Sequence, residues 1–533
     1  MNKKILITIV VLSSAFAVSF NLSDNEPEKN SYSTSIVDSR KLDINNISTW
    51  FRNNGSFNRD PSTGSSGFEW PKFSGKFARY ASGLWLGAKV GNDTLIAIAE
   101  YDYEYLPGYV DNNGNPQGSN DPLYRIYRIE RGDTLSSDYL NWPVNQGAYI
   151  NSLGKPFFLG TQTMFYSYTD GYPKAHGNNA GSTAPLKAQI LQTNWSYTNS
   201  GVRDIVFTEY RIINRNNLPW TNAYISIWTD DDLGDPSDDA VGVDTVPNLN
   251  LGYTYNYDNE DSQYGTAPPA VGFTLLRPPV IPSPGDTVRY YSPPGSNNLI
   301  VKPNYKNARF SSFNTFTNAD PFIGDPQNYR ETYLNLQGLR RNGTPWINPM
   351  TNQETRFAYS GLPEIPLGWI QTSGDDRRSL MTYGPLTINP NDTQSVIFAQ
   401  VIARGTSNLN SITKLKELTT YVDYLYHNNF PGLVSVKNIS SEIPKGFKLE
   451  QNYPNPFNPN TVISYQLPVS SFIVLKVYDP LGKEVATLVN EKQNAGSYNY
   501  QFSTINYQLP SGIYFYKLSV GDFTDTKRMI LLK

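Results

Sequence analysis

Short segments that alternate apolar and polar residues, each ended by glycine or proline, run along most of this chain, and Asp204 to Asn214 is the cleanest of them. Ile205, Phe207, Glu209, Arg211 and Ile213 fall on one face, and Val206, Thr208, Tyr210 and Ile212 on the other. A period of two belongs to a strand, because successive side chains leave a pleated backbone on opposite sides. Glu209 and Arg211 are expected to mark the place where one face meets water or a groove. Phe77–Gly87 and Thr94–Glu100 read as a hairpin across Gly91-Asn92-Asp93. Trp220–Trp228 and Ser395–Ala403 read as further strong strands. The fold class that follows is all-β: a large antiparallel β-sandwich of one or two units.

One segment breaks the rule. Ile412, Leu415, Leu418, Val422 and Leu425 recur at three and four, with Asn410 or Ser411 as cap and Asn428-Asn429-Phe430-Pro431-Gly432 as stop. A single helix near 411–427 is expected to close the sandwich. His427 lies in its last turn, where a histidine complements the helix dipole.

Several function classes drop out on composition. The formal net charge is −3 and no basic stripe appears, so a nucleic-acid partner is not expected. Cysteine is absent, which removes disulfides, thiolate ligands and cysteine nucleophiles. With two histidines, His176 and His427, a three-histidine metal site cannot be built. His176 sits in the loop-like Lys174-Ala175-His176-Gly177-Asn178-Asn179 and is expected to be exposed. No glycine-flanked serine elbow accompanies it.

Each end reads as an address. Lys3 and Lys4, the apolar run Ile5–Leu12 and Ala15-Phe16-Ala17 make a secretory signal pattern, with residues 1–17 removed and a polar tether to Arg40. No later run approaches the length needed to cross a bilayer, so no transmembrane segment is expected in the mature chain. After a linker at 432–445, Gly446–Lys533 opens on a proline-rich extended lead-in, since proline lacks the backbone donor. Ile463, Tyr465 and Leu467 share one face, as do Ile473, Leu475 and Val477, and Tyr498, Tyr500 and Phe502. About seven short strands in this stretch imply a small immunoglobulin-like sandwich.

At these residues the chain resembles the type A C-terminal sorting domain of the type IX secretion system. The resemblance rests on Gln451-Asn452-Tyr453-Pro454-Asn455-Pro456-Phe457-Asn458-Pro459, Val477-Tyr478-Asp479 with Leu481-Gly482, Ala495-Gly496-Ser497-Tyr498 and Ser511-Gly512-Ile513-Tyr514. Pro480 departs from the small or polar residue commoner there. The resemblance implies export through the periplasm and across a Gram-negative outer membrane, with the type IX machinery as partner. It also implies release of the cargo or attachment to a surface glycolipid.

The body at 41–431 is less legible. It looks like a group of uncharacterised exported bacterial proteins, through Gly67-Phe68-Glu69-Trp70-Pro71, Ser82-Gly83-Leu84-Trp85, Tyr264-Gly265, Pro268-Pro269-Ala270-Val271-Gly272 and Gly374-Asp375-Asp376-Arg377-Arg378. That resemblance implies a location and no activity. Its chemical feature is the acidic stretch Trp228–Asp244, which repels itself unless something cationic sits within it. Asp230, Asp232, Asp235, Asp238, Asp239 and Asp244 are the candidate ligands, with Gly234 and Gly242 letting the backbone curl. Oxygen ligands suit Ca²⁺, although the EF-hand spacing is not met. The alternative is a solvated acidic turn whose aspartates cap loop amides. Asp258-Asn259-Glu260-Asp261 is a weaker second face.

Two functions remain open. A non-catalytic adhesion, envelope or binding protein fits the missing nucleophile motif. A carbohydrate-binding or glycan-degrading protein would stack sugar rings on exposed tryptophan or tyrosine, and glycoside hydrolysis would also need two carboxyls at about 5–10 Å. Glu69, Glu100, Glu104 and Glu209 are candidates, and the sequence nominates none.

Overall fold

A computed structural model describes residues 35–533 except 200, 246–248, 319, 432, 434–435, 441–443, 445, 505–508 and 533. The signal pattern at 1–17 and most of the expected tether lie outside the described residues. Of the tether's end, Ser39 and Arg40 already belong to the strand Ser39–Leu42.

The fold is all-β. A ten-stranded sheet runs in the order Phe310–Thr317, Arg377–Ile388, Trp220–Asp230, Ala81–Val90, Ser56–Phe57, Ser48–Arg52, Phe68–Glu69, Phe77–Arg79, with Ser39–Leu42 and Asp93–Ile98 added at its sides. A nine-stranded sheet runs Tyr127–Glu130, Gln162–Thr169, Ala188–Ser196, Ile205–Asn214, Thr393–Ala403, Ala270–Arg277, Leu251–Asn256, Asp239–Asp244, with Leu106–Pro107 beside Gln162–Thr169. The expected hairpin is present, with Val90 opposite Asp93.

The two sheets share one core. Leu84, Leu86, Ile225 and Ile227 of the first join Tyr166, Ile190, Val206, Tyr210 and Phe398 of the second. Several of the polar groups buried with it are paired across the sandwich. Asn58 Nδ2 donates to Gln400 Oε1 at 2.9 Å across the sandwich and to Ser82 Oγ at 2.8 Å.

The outer faces are covered as well. The helix Asn408–His427 lays Ile412, Leu415, Val422 and Leu425 over Phe207, Tyr253 and Ile397 of the second sheet. A further helix, Tyr329–Leu336, sets Tyr333 and Leu336 against Trp85, Ile96 and Trp228 of the first. Gly87 lies under it, and a Cβ there would run into the Leu336 and Ile96 side chains.

Three expectations need correction. The closing helix begins at Asn408 with Ser407 as cap, its hydroxyl accepting from Asn410 N at 3.0 Å. Glu209 meets neither water nor a groove: it is fully buried and paired with Arg277 Nη1 at 2.8 Å. His176 is not exposed, and its side chain is 1 % accessible between Asp170 and Glu104.

The C-terminal region builds two four-stranded sheets. One runs Val436–Ser440, Gly496–Ser503, Asn460–Leu467, Lys448–Leu449, so a strand from the expected linker joins it. The other runs Glu484–Gln493, Ser471–Tyr478, Gly512–Val520, Phe523–Leu531. Ile463, Tyr465, Leu467, Ile473, Leu475, Val477, Tyr498, Tyr500 and Phe502 meet in a core whose members all come from this region.

Candidate functional site

The acidic stretch starts where the strand Trp220–Asp230 leaves the ten-stranded sheet, and the pleat splits its aspartates between two faces. Thr229 and Asp231 turn inward. Asp231 pairs with Arg79 at 2.9 Å, both side chains at most 2 % accessible, and accepts from the Thr229 and Thr254 hydroxyls. Arg79 also lies over the Phe273 ring at 4.0 Å. Asp231 therefore belongs to the core.

Asp230 shares the outward face with Trp228, directly across from Arg378 on the next strand. Its Oδ2 accepts from Tyr101 Oη at 2.6 Å; its Oδ1 is buried, has no hydrogen bond and lies 3.5 Å from Arg378 Nε. Asp232 follows, accepting from Ser66 Oγ at 3.4 Å. Asp376 arrives from the loop before Arg377–Ile388. One carboxylate oxygen each from Asp230, Asp232 and Asp376 lies within 4.8 Å of the others. Arg378 reaches Asp376 at 3.4 Å and Asp325 at 3.9 Å.

Arg378 is one guanidinium among several carboxylates, of which Asp230 is buried and Asp232 and Asp376 half-buried. Burial pushes the Asp230 carboxyl up to about 8, with Asp232 and Asp376 adding to the rise and Arg378 opposing it. Burial and Asp376 lift Asp232 to about 6. The donors are oxygens throughout, with the Tyr101 and Ser66 hydroxyls beside them, which is the ligand chemistry of a hard divalent cation.

The other four candidate ligands do not join this group. Asp235 caps the turn Pro236–Asp238, taking Ser237 N and Oγ, and those bonds hold its carboxyl low. Asp238 accepts from Asn256 Nδ2. Asp239 is buried and accepts from Leu233 N at 3.0 Å. Asp244 pairs with Lys416 of the closing helix at 3.0 Å. Asp261 does reach the loop, but as an acceptor for the amides of Asp235, Gln263 and Tyr264. Gly234 curls as expected, at φ +83°, and a Cβ there would strike the Asp261 carboxylate. Asp376 is remote in sequence from the acidic stretch, and its place in Gly374–Arg378 is the one signal that could have found it.

Among the candidate glutamates, Glu104 is buried against His176 and accepts from Ser182 N at 2.7 Å. Glu100 accepts from Asn178 Nδ2 at 2.7 Å, and burial, reinforced by Asp325, raises it to about 7. All nine tryptophans are buried or half-buried, as a core role for these side chains predicts.

In the C-terminal region, the proline-rich lead-in is seated by Asn452, whose backbone amide donates to Tyr516 Oη at 2.7 Å while its Nδ2 donates to Thr461 Oγ1 at 2.9 Å. Residues 451–532 match the family described as "Secretion system C-terminal sorting domain". The tail is a type IX secretion C-terminal sorting domain. This sorting domain marks the chain for export by the type IX machinery to the cell surface or the medium. Among the described residues, no helix is long and apolar enough to cross a membrane.

No curated protein matches the chain. Among solved structures, a polysaccharide lyase aligns with 92 % of this chain and 47 % of its own at 8 % identity and a TM-score of 0.27, so the chain spans about half that lyase's length. The adhesin domain of Epf from Streptococcus pyogenes aligns with 57 % of this chain and 82 % of its own at 7 % identity and a TM-score of 0.13. At these scores neither likeness carries an argument.

Proposed function

We propose that the body ahead of the sorting domain is a non-catalytic adhesion, envelope or binding module displayed outside the cell. The observation that carries this reading is that seven of the nine tryptophans are buried and the other two, Trp50 and Trp369, half-buried, so no fully exposed indole offers the open face on which a sugar-cleaving cleft stacks its substrate. Residues 1–17 serve as a removed signal peptide for passage into the periplasm, and the segment from Gly446, with the strand Val436–Ser440 added to its sheet, folds as an immunoglobulin-like unit. Surface glycolipid is the anchor where the cargo is retained.

Calcium is part of the proposal, with Asp230, Asp232 and Asp376 as its carboxylate ligands. The ion would take the place of the proton that burial favours on Asp230. In a chain without cysteine it would fix the loop that follows the strand Trp220–Asp230. A thermal melt in millimolar Ca²⁺ against chelator tests this, with an upward shift expected for the wild type and a much smaller one for Asp376→Asn. Identical melts would remove calcium from the account.

A second reading, glycan cleavage, is favoured by one observation: the half-buried Glu100 carboxyl is raised to about 7 by loss of water, with Asp325 adding to the rise, which is the range in which a general acid works. A polysaccharide-hydrolysis panel on the full chain decides between the two. Product release abolished by Glu100→Gln would establish the second reading and end the first.

A further inference from the structure

The ribbon Val280–Tyr291 with Leu299–Asn307 is a two-stranded sheet that pairs with no other strand among the described residues. Beside its turn, against the end of the closing helix, lies a cavity of about 140 Å³. Arg289, Tyr290, Tyr291, Tyr426, His427 and Asn429 line it. We propose that this cavity binds a single acidic sugar ring, a uronic acid of an anionic glycan, with its carboxylate on Arg289 and its ring against the tyrosines.

The chemistry of the lining points to that class. The phenols of Tyr291 and Tyr426 line the hollow beside Tyr290, one face of whose ring is taken by Arg277, and the exposed Arg289 offers a planar fork for a carboxylate. No lining residue among those described is itself a carboxylate, although Asp423 lies behind His427, 3.2 Å from its Nδ1.

The walls are also held in place, which lowers the ordering cost of binding. Arg277, buried and paired with Glu209, sits 4.4 Å from the Tyr290 ring centre, and its Nε donates to Tyr426 Oη at 2.8 Å and its Nη2 to Tyr291 O at 2.6 Å. Asn429 accepts from Gly295 N and donates to Ser296 O, each at 2.7 Å, tying the ribbon's turn to the helix end. Asn429 and Phe430 are both left-handed, at φ +58° and +55°, and Phe430 is locked among Trp195, Tyr197 and Phe207. The body commits this much structure to a surface hollow.

The inference rests on the binding reading and names its ligand class. Titration calorimetry on the full chain with trigalacturonate, maltotriose and inorganic phosphate tests it. Trigalacturonate should bind, with affinity falling about tenfold in Arg289→Ala and only partly in Arg289→Lys, since a charge-assisted contact of ordinary strength is worth about that factor. Equal binding of maltotriose, equal binding of phosphate, or an uronate affinity untouched by Arg289→Ala would each overturn it. Binding of other glycans on an array by wild type and Arg289→Ala alike would sink the inference and leave the binding reading standing.

Discussion

The strand Gly512–Val520 of the sorting domain buries Tyr514, Tyr516, Leu518 and Val520 and leaves the residues between them half or fully open. In the body, Gln162–Thr169 and Ala188–Ser196 bury every residue. The sorting domain's sheets each use one face. The body's sheets use two, one against each other and one beneath a helix or loop. A two-sided strand must bury whatever polar groups it carries, so the body's interior holds ion pairs and many polar side chains among its aromatics, whereas the sorting domain's interior is mainly apolar, with few buried polar groups, Asn452 and Thr461 among them.

The largest expected effect strikes the body's polar interior. Asp231→Ala leaves Arg79 charged and without a partner in the core, and should cost about 3–5 kcal/mol by urea denaturation, because an orphaned buried charge is worse than no pair. Leu475→Ala, a pure cavity in the sorting domain, should cost about 3 kcal/mol. It should move only that domain's transition; a matching shift in the body's transition would erase the distinction between the two cores.

A pH series sharpens the contrast further. Burial raises Glu104 to about 7, opposed by His176 and the Ser182 and Ile98 amides. Burial alone would lower His176, but Asp170 and Glu104 together lift it. The folded state thus keeps a proton on Glu104 that the unfolded chain has lost above its ordinary value near 4.5, so stability falls as pH rises from there to about 7. His176 adds stability below its ordinary 6.5 and loses it as pH rises through its higher folded value. Both act in one direction, and the body's melting temperature should drop from pH 5 to 8 by the equivalent of on the order of 1–2 kcal/mol. Glu104→Gln should remove only its own share of the slope, since Glu100, Asp230 and Asp232 are raised into the same window and act in the same direction. The smallest effect belongs to the sorting domain's surface: Lys476→Ala, which removes a pair with Glu484 at 2.8 Å, should change stability by about 0.5 kcal/mol or less.

The same contrast governs how much of the molecule is legible in the sequence. The sorting domain's one-sided strands alternate cleanly, so alternation alone assigns Ile463, Ile473 and Tyr498 to their faces. The body's strands Trp220–Asp230 and Thr393–Ala403 can be found the same way, but their faces carry no polarity difference to orient them. Glu209 reads as a wet edge because its partner Arg277 lies on a strand not adjacent in the chain. His176 reads as exposed because the glycine and asparagine around it signal a loop, and nothing local tells that the loop folds back over Glu104. The helix shows its period, yet its cap lies earlier, since Asn408 is buried and donates to Asn256 O. The acidic stretch is visible as charge, but the pleat, which sends Asp231 inward and Asp230 outward, decides which aspartates meet.

The measurement that bears most directly on the division between address and cargo is the compartment reached by a chain ending before Gly446. With the sorting domain removed, the body should accumulate inside the envelope while the full-length protein appears at the surface or in the medium. Equal amounts of the shortened chain outside the cell would contradict the account.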